Sequence, residues 1–251
     1  MDVTKPFGSA HVTAIEGEQG SGKSNTGTAR TITEALKHIT GIVNPSTGEY
    51  YDAQPLTKEE KLKIRGLGYN IPYDTIKIFA PNNETRIARI PDGFSIKHDI
   101  NIWCNYHLFG IQYSYIASWA ELIDGLANYK FFGGRLTIDE FHLGAGARDA
   151  MSALNKAFSK ESFLLRRKRL DVDIIIPHQR LGEWTTRLVF NQWISCKSDE
   201  NTGMITISVK KKGQPSHEFT YDGTLYWKYY DTEERFKQPS GNIAKAVAQG
   251  A

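Results

Sequence analysis

Residues 11–24 read HVTAIEGEQGSGKS: a short apolar run, then glycines at 17, 20 and 22, then Lys23 and Ser24. The second half, GEQGSGKS, matches the GxxxxGK[ST] pattern of a loop that cradles phosphates with backbone N–H groups. Such a loop needs its amides crowded together, and glycine permits that approach because no Cβ intervenes. With a strand before it and a helix starting near residue 23, the helix N-terminus points at the anion. Gly17, Glu18, Gln19, Gly20, Ser21, Gly22, Lys23, Ser24 and Asn25 are therefore the candidate nucleotide-binding residues. Lys23 is placed to reach the β- and γ-phosphates of ATP, and Ser24 to ligate Mg²⁺.

The chain has 251 residues, enough for one substantial α/β domain with additions, and a formal charge of +3, too small to identify a nucleic-acid binder. Cys104 and Cys196 lie far apart in apolar runs, without metal or redox spacing, and read as two buried thiols in a reducing compartment. No stretch approaches the ~18 apolar residues of a membrane helix, and the N-terminus shows no apolar signal segment, so a soluble, cytoplasmic protein is expected.

Downstream of the loop, Ala29, Ile32, Ala35, Leu36 and Ile39 recur at helical spacing over 25–39, with Gly41 as a stop. Over 44–93 the pattern breaks down among prolines and glycines, and a largely irregular insertion is expected, with one or two short strands such as 75–79. Strand and helix patterns then alternate: strand 100–104, helix 118–127, strand 134–139, helix 149–169, strand 172–177. This alternation predicts βαβ crossovers and a mainly parallel sheet. Segments 192–196, 204–210 and 217–221 read as short strands of an antiparallel edge or β-subdomain. The expected organisation is a core over 1–198, a β extension over 199–238 and a mobile tail over 239–251.

Leu136-Thr137-Ile138-Asp139-Glu140 closes a strand candidate with an acidic pair, at the sheet edge where ligands of doubly wound folds gather. Asp139 reads as a Mg²⁺ carboxylate and Glu140 as the group that takes a proton from an attacking water. A plain cap for the next segment is the alternative. Gln179, ending the next strand, can orient water or report phosphate loss. His178 reads equally as a sensor or a turn histidine, and Arg180 as a DNA contact or a strand end. Multimeric NTPases complete their sites with an arginine from a neighbour. Arg148, Arg166, Arg167 and Arg169 are candidates here, although charge complementing a helix dipole explains one or two of them. Lys210-Lys211-Lys212 is either a solvated face or a contact surface. The many aromatics, among them Trp103, Tyr106, Trp119 and Trp227, are assigned no function.

The phosphate loop, the strand ending in Asp139-Glu140, the basic helix end and the strand ending in Gln179 occur in the order of the FtsK–HerA superfamily of DNA-pumping ATPases. Residues 162–179, SFLLRRKRLDVDIIIPHQ, carry the strongest likeness. Within that superfamily the chain resembles small genome-packaging ATPases of tailless, membrane-containing viruses. Zonular-occludens-toxin-like phage ATPases are near neighbours, sharing the strand end Asn105-Tyr106-His107-Leu108. The resemblance implies a RecA-like core and a hexameric or pentameric ring that hydrolyses Mg²⁺-ATP at subunit junctions and moves double-stranded DNA. It also implies a place in the host cytoplasm or on the virion, beside capsid or membrane-vertex proteins. By carry-over, Lys23 and Ser24 hold the phosphate-loop roles, Asp139 and Glu140 the acidic roles, Gln179 the sensor role, and Arg167, or else Arg166 or Arg169, acts in trans. An extrusion ATPase of the toxin-like kind and a nucleotide-binding scaffold with little turnover are the alternatives.

Overall fold

The computed structural model describes residues 12–68, 71–80, 84–141, 165, 168–177, 190–199 and 201–231. Strand β1 (Val12–Glu16) leads through the glycine loop into α1 (Lys23–Lys37). An excursion follows: β2 (Ile39–Val43), β3 (Tyr50–Pro55), α2 (Lys58–Gly66), β4 (Thr75–Phe79), β5 (Thr85–Arg89) and β6 (Ser95–His98). The chain returns with β7 (Asn101–Cys104), β8 (Ser114–Tyr115), α3 (Trp119–Ala127), β9 (Gly134–Ile138) and β10 (Leu170–Ile176). It closes with β11 (Gln192–Ser198), β12 (Met204–Lys211), β13 (His217–Asp222) and a 3-10 turn over Gly223–Tyr229.

The main sheet has the order β13-β12-β11-β1-β10-β9-β7-β8. The six strands from β11 to β8 are mutually parallel, and β12 and β13 add an antiparallel border. This is the expected α/β architecture, a RecA-like arrangement in which β10 separates the phosphate-loop strand from the acidic strand. Side chains alternate across β1 as a strand with two covered faces requires. Val12 and Ala14 pack with Leu136, Ile138, Val172 and Ile174 on the face covered by α3, whose Trp119, Leu122 and Leu126 complete that cluster. Ile15 turns the other way, toward Ile175, Ile194 and Ile205.

α1 lies close to the sheet because its inward face is built from small residues. A Cβ on Gly27 would stand 2.7 Å from Ile175 Cδ1. The buried threonines on this face bond within the fold: Thr31 Oγ1 donates to Gly27 O at 3.0 Å and so accepts from Thr137 Oγ1 at 2.9 Å. Beneath the helix sits a buried charge cluster. Asp173 in mid-β10 receives two bonds from Arg30 at 3.0 Å and a further one from Arg135. Burial alone would raise the Asp173 pKa, but the two guanidiniums outweigh it and hold the carboxyl below its usual range.

Three expectations are corrected. The 44–93 segment is not largely irregular: β2 to β6 form a five-stranded antiparallel sheet of order β5-β4-β3-β2-β6. Its Ile42, Ala53, Ile76 and Ile96 join Ile32 and Leu36 of α1 in one core cluster. The charged run at 58–61 opens α2 through a capping box between Thr57 and Glu60. Finally, β11 belongs only half to the expected antiparallel edge: it pairs antiparallel with β12 but in parallel with β1. The helix expected over 149–169 and the tail over 239–251 lie almost wholly outside the described residues, although Leu165 and Lys168 are helical and buried. Among the described residues no helix is long and apolar enough to cross a membrane.

Removing the central anion of the charge cluster leaves Arg30 without its carboxylate and the buried Arg135 with only its longer contacts to Glu34 and Asp171 at 3.7 Å. Asp173→Ala is expected to lose about 3–5 kcal/mol of stability at neutral pH, measured by urea unfolding. A depressed carboxylate pKa contributes stability that is complete above the unfolded value of about 3.9 and is lost as pH falls through the folded value. Wild-type stability should therefore drop below about pH 4, and the variant should lack that component of the decline.

Candidate functional site

The glycine loop and the strand ends of β9 and β10 meet at one edge of the parallel sheet. Gly22 caps α1 in the left-handed region, with φ 83°. A Cβ there would be both strained and 2.6 Å from Ile205 Cδ1. At Gly17 a Cβ would collide with the Ser21 side chain and stand 2.7 Å from Cys196 O. The loop is therefore wound against β11 and β12, and only glycine fits. Ser198 Oγ donates to Gly20 O, which ties the loop to the end of β11.

Inside the loop, Lys23 Nζ donates to Glu18 O at 2.6 Å, so the ammonium stands over the loop backbone. Lys23, Ser24 and Asn25 occupy the first turn of α1, where backbone N–H groups have no intrahelical acceptor. Ser21 Oγ is buried and has no hydrogen-bond partner among the described residues. Asn25 contributes only its backbone to the site. Its side chain is buried and turned away, donating to Gly223 O at 2.8 Å and accepting from Tyr221 OH at 3.1 Å. Thr26 Oγ1 pairs with the same tyrosine at 2.9 Å.

The acidic pair closes the site. Ser24 Oγ donates to Asp139 Oδ2 at 2.5 Å, joining the start of α1 to the end of β9 across the width of β10. Burial pushes the Asp139 pKa up to about 6, against the pull of the bonds from Ser24 and from the Glu140 amide. That amide donates to Asp139 Oδ1 at 2.7 Å, and Glu140 itself adopts φ 52°, an uncommon conformation for a residue with a Cβ. A carboxylate and a hydroxyl, short of solvent and facing each other beside a phosphate-type loop, are hard oxygen donors of the kind Mg²⁺ accepts. The residues present fit that ion: Ser24 and Asp139 would hold it.

Asn105, just past β7, was not singled out as a site residue from the sequence. Its Oδ1 accepts from Asp139 N at 2.7 Å and its Nδ2 donates to Asp139 O at 2.8 Å. This two-way clamp on the Asp139 backbone could have been suspected from the strand-end position of Asn105, but not its partner. Of the remaining predicted residues, Arg166, Arg167 and Gln179 lie outside the described residues, as do Arg148, His178 and Arg180. The strand leading to Gln179 does run between β1 and β9. Arg169 is exposed and sits at the start of β10, at the opposite edge of the sheet from Ser24 and Asp139.

No protein-family model matches the chain, and no curated protein matches it in sequence. Among solved structures, the N-terminal domain of zonular occludens toxin from Neisseria meningitidis is similar with a TM-score of 0.44 and 11% identity, over 89% of this chain and 100% of that one. A KaiC-like protein from the archaeon Pyrococcus horikoshii is similar with a TM-score of 0.38 and 10% identity, over 86% of this chain and 85% of that one. Likenesses this loose leave the functional reading to the loop and the strand ends.

Asn105→Ala removes both halves of the clamp and frees the Asp139 backbone to shift. Nucleotide turnover is expected to fall about 10- to 100-fold, the usual cost of losing a group that orients a metal ligand. Asn105→Asp, which keeps the acceptor for Asp139 N–H, should fall less. Steady-state phosphate release on the purified variants reads the difference.

Proposed function

We propose that the chain is a Mg²⁺-dependent ATPase that works in a ring and moves double-stranded DNA, with viral genome packaging as its task. The observation that carries the hydrolytic part is the contact of Ser24 with Asp139 at 2.5 Å, with Glu140 next in sequence. The amides of the loop and of the first turn of α1 bind the phosphates, and Lys23 moves from the Glu18 carbonyl to the terminal phosphates. When bound, Mg²⁺ supplies charge neutralisation at the β- and γ-phosphates. Asp139 orients Ser24, Asn105 fixes Asp139, and Glu140 takes the proton of the attacking water.

The trans arginine is supported by position. β10 is seven residues long, so Arg169 at its start is about 20 Å from its own site. An arginine of this run serves a neighbouring subunit's nucleotide rather than its own. Double-stranded DNA as the load rests on the resemblance in motif order.

Lys23→Ala should reduce ATP turnover by about 100-fold or more, and Glu140→Gln should retain nucleotide while losing hydrolysis. Wild-type turnover should rise when double-stranded DNA is added. Unchanged turnover in Lys23→Ala would remove the ATPase assignment, whereas absence of DNA stimulation in an active wild type would remove the motor assignment alone.

A further inference from the structure

The ribbon β12–β13 ends in Lys210, Lys211 and Lys212, followed by Gly213 with φ 76° and then Gln214, Pro215 and Ser216. All three lysines are exposed. None has a carboxylate within pairing distance among the described residues, and the sequence from Met204 to His217 contains no Asp or Glu. Neighbouring β11 carries no acid either. The turn is ordered by the chain itself: Lys212 N donates to Asn191 O and Gln214 N to Lys211 O, each at 3.0 Å.

Strand alternation puts Lys210, across from Trp193, and Lys211, across from Gln192, on opposite faces, and Lys212 follows in the turn. The tip thus offers cations to both sides. A lone lysine at the surface is ordinarily hydrated and uninformative, but three consecutive ones at an ordered turn, with Glu218 opposite Ser208 the one nearby acid of the ribbon, maintain a local positive field. The residues at the tip are polar or small, without the exposed apolar side chains that insertion into a lipid surface uses.

We infer that this tip is a contact for the phosphate backbone of double-stranded nucleic acid. The inference rests on the motor reading above and names the part of the subunit that grips the load. The opposite end of the same ribbon meets the phosphate loop. Ile205 packs against Gly22, and Tyr221 bonds Thr26 and Asn25. The six residue steps of β11 between Ser198 and Gln192 put these ends about 20 Å apart. Grip and phosphate loop are therefore two ends of one hydrogen-bonded element.

The test compares wild type with the triple variants Lys210→Gln/Lys211→Gln/Lys212→Gln and Lys210→Arg/Lys211→Arg/Lys212→Arg. Binding of the full chain to a short mixed-sequence DNA duplex is measured across a salt series, with thermal melting as the check on folding. The glutamine variant should melt like wild type and bind at least about tenfold more weakly at ~0.1 M salt. Its log–log salt slope should be shallower by about 2–3, one unit for each lost phosphate contact. The arginine variant should match wild type. A glutamine variant with wild-type affinity and slope overturns the inference while leaving the motor reading intact. Wild type that fails to bind duplex at low salt overturns the motor reading, and this inference with it.

Discussion

The site depends on a spacing rule of the sheet. β1 and β9 are not neighbours, because β10 pairs with both of them. Two inter-strand steps of about 4.8 Å open a gap of about 10 Å between the strand that feeds the glycine loop and the strand that ends in Asp139. With β10 interposed, the α1 terminus spans the gap, and Ser24 reaches Asp139 by a single hydrogen bond. Every other feature of the site, from the Asn105 clamp to the turn at Glu140, is attached to that crossing.

Holding β10 in place is in turn the work of what lies beneath α1. A helix carrying Gly27, Thr28, Ala29 and Thr31 on its inner face approaches the strands closely, and those small residues bury little apolar area, while Ile32 and Leu36 serve the other core cluster. Polar pairing substitutes for part of that area. Arg30 and Arg135 converge on Asp173, tying the helix, β9 and the middle of β10 together. Ion pairs of this kind seldom add net stability over a well-packed apolar core, but they are directional. Here the direction sets the register of α1 over β10, and hence where its first turn meets Asp139.

Much of this was legible. GEQGSGKS, the run ending in Asp139-Glu140 and the β-branched run 172–176 each combine a strong local pattern with chemistry; the first proved to be the loop between β1 and α1, and the other two are strands of the parallel sheet. The five-stranded antiparallel sheet was not legible, because one face is wet. β3, YYDAQP, buries only Ala53 fully, and β5, TRIAR, buries nothing fully. Strands with so few apolar positions are indistinguishable from loops by periodicity, and Pro55 at the end of β3 strengthened that misreading. The parallel pairing of β11 was hidden for a different reason, since its alternating QWISCKS looks like a half-exposed antiparallel strand. Its outer face is indeed half-exposed, and only the β1 pairing makes it part of the core. Asn105 escaped notice because a clamp is defined by its partner, which is 34 residues away in sequence.

The geometry at Glu140 follows from the same carboxylate that meets Ser24. Asp139 Oδ1 accepts from the Glu140 amide while Oδ2 accepts from Ser24, so one side chain spans the strand end and the helix start. A residue with a Cβ at φ 52° carries a backbone cost of order 1–3 kcal/mol unless its surroundings enforce the turn. Three bonds enforce it here: the Asp139 side chain holds the Glu140 amide, and Asn105 pins Asp139 N and O. The strained turn, the half-buried carboxylate and the hydroxyl are thus not separate attributes of the site. A ligand that drew the Ser24 hydroxyl away from Oδ2 would act on the same carboxylate that fixes Glu140, so the orientation of the proposed base is coupled to what occupies the loop.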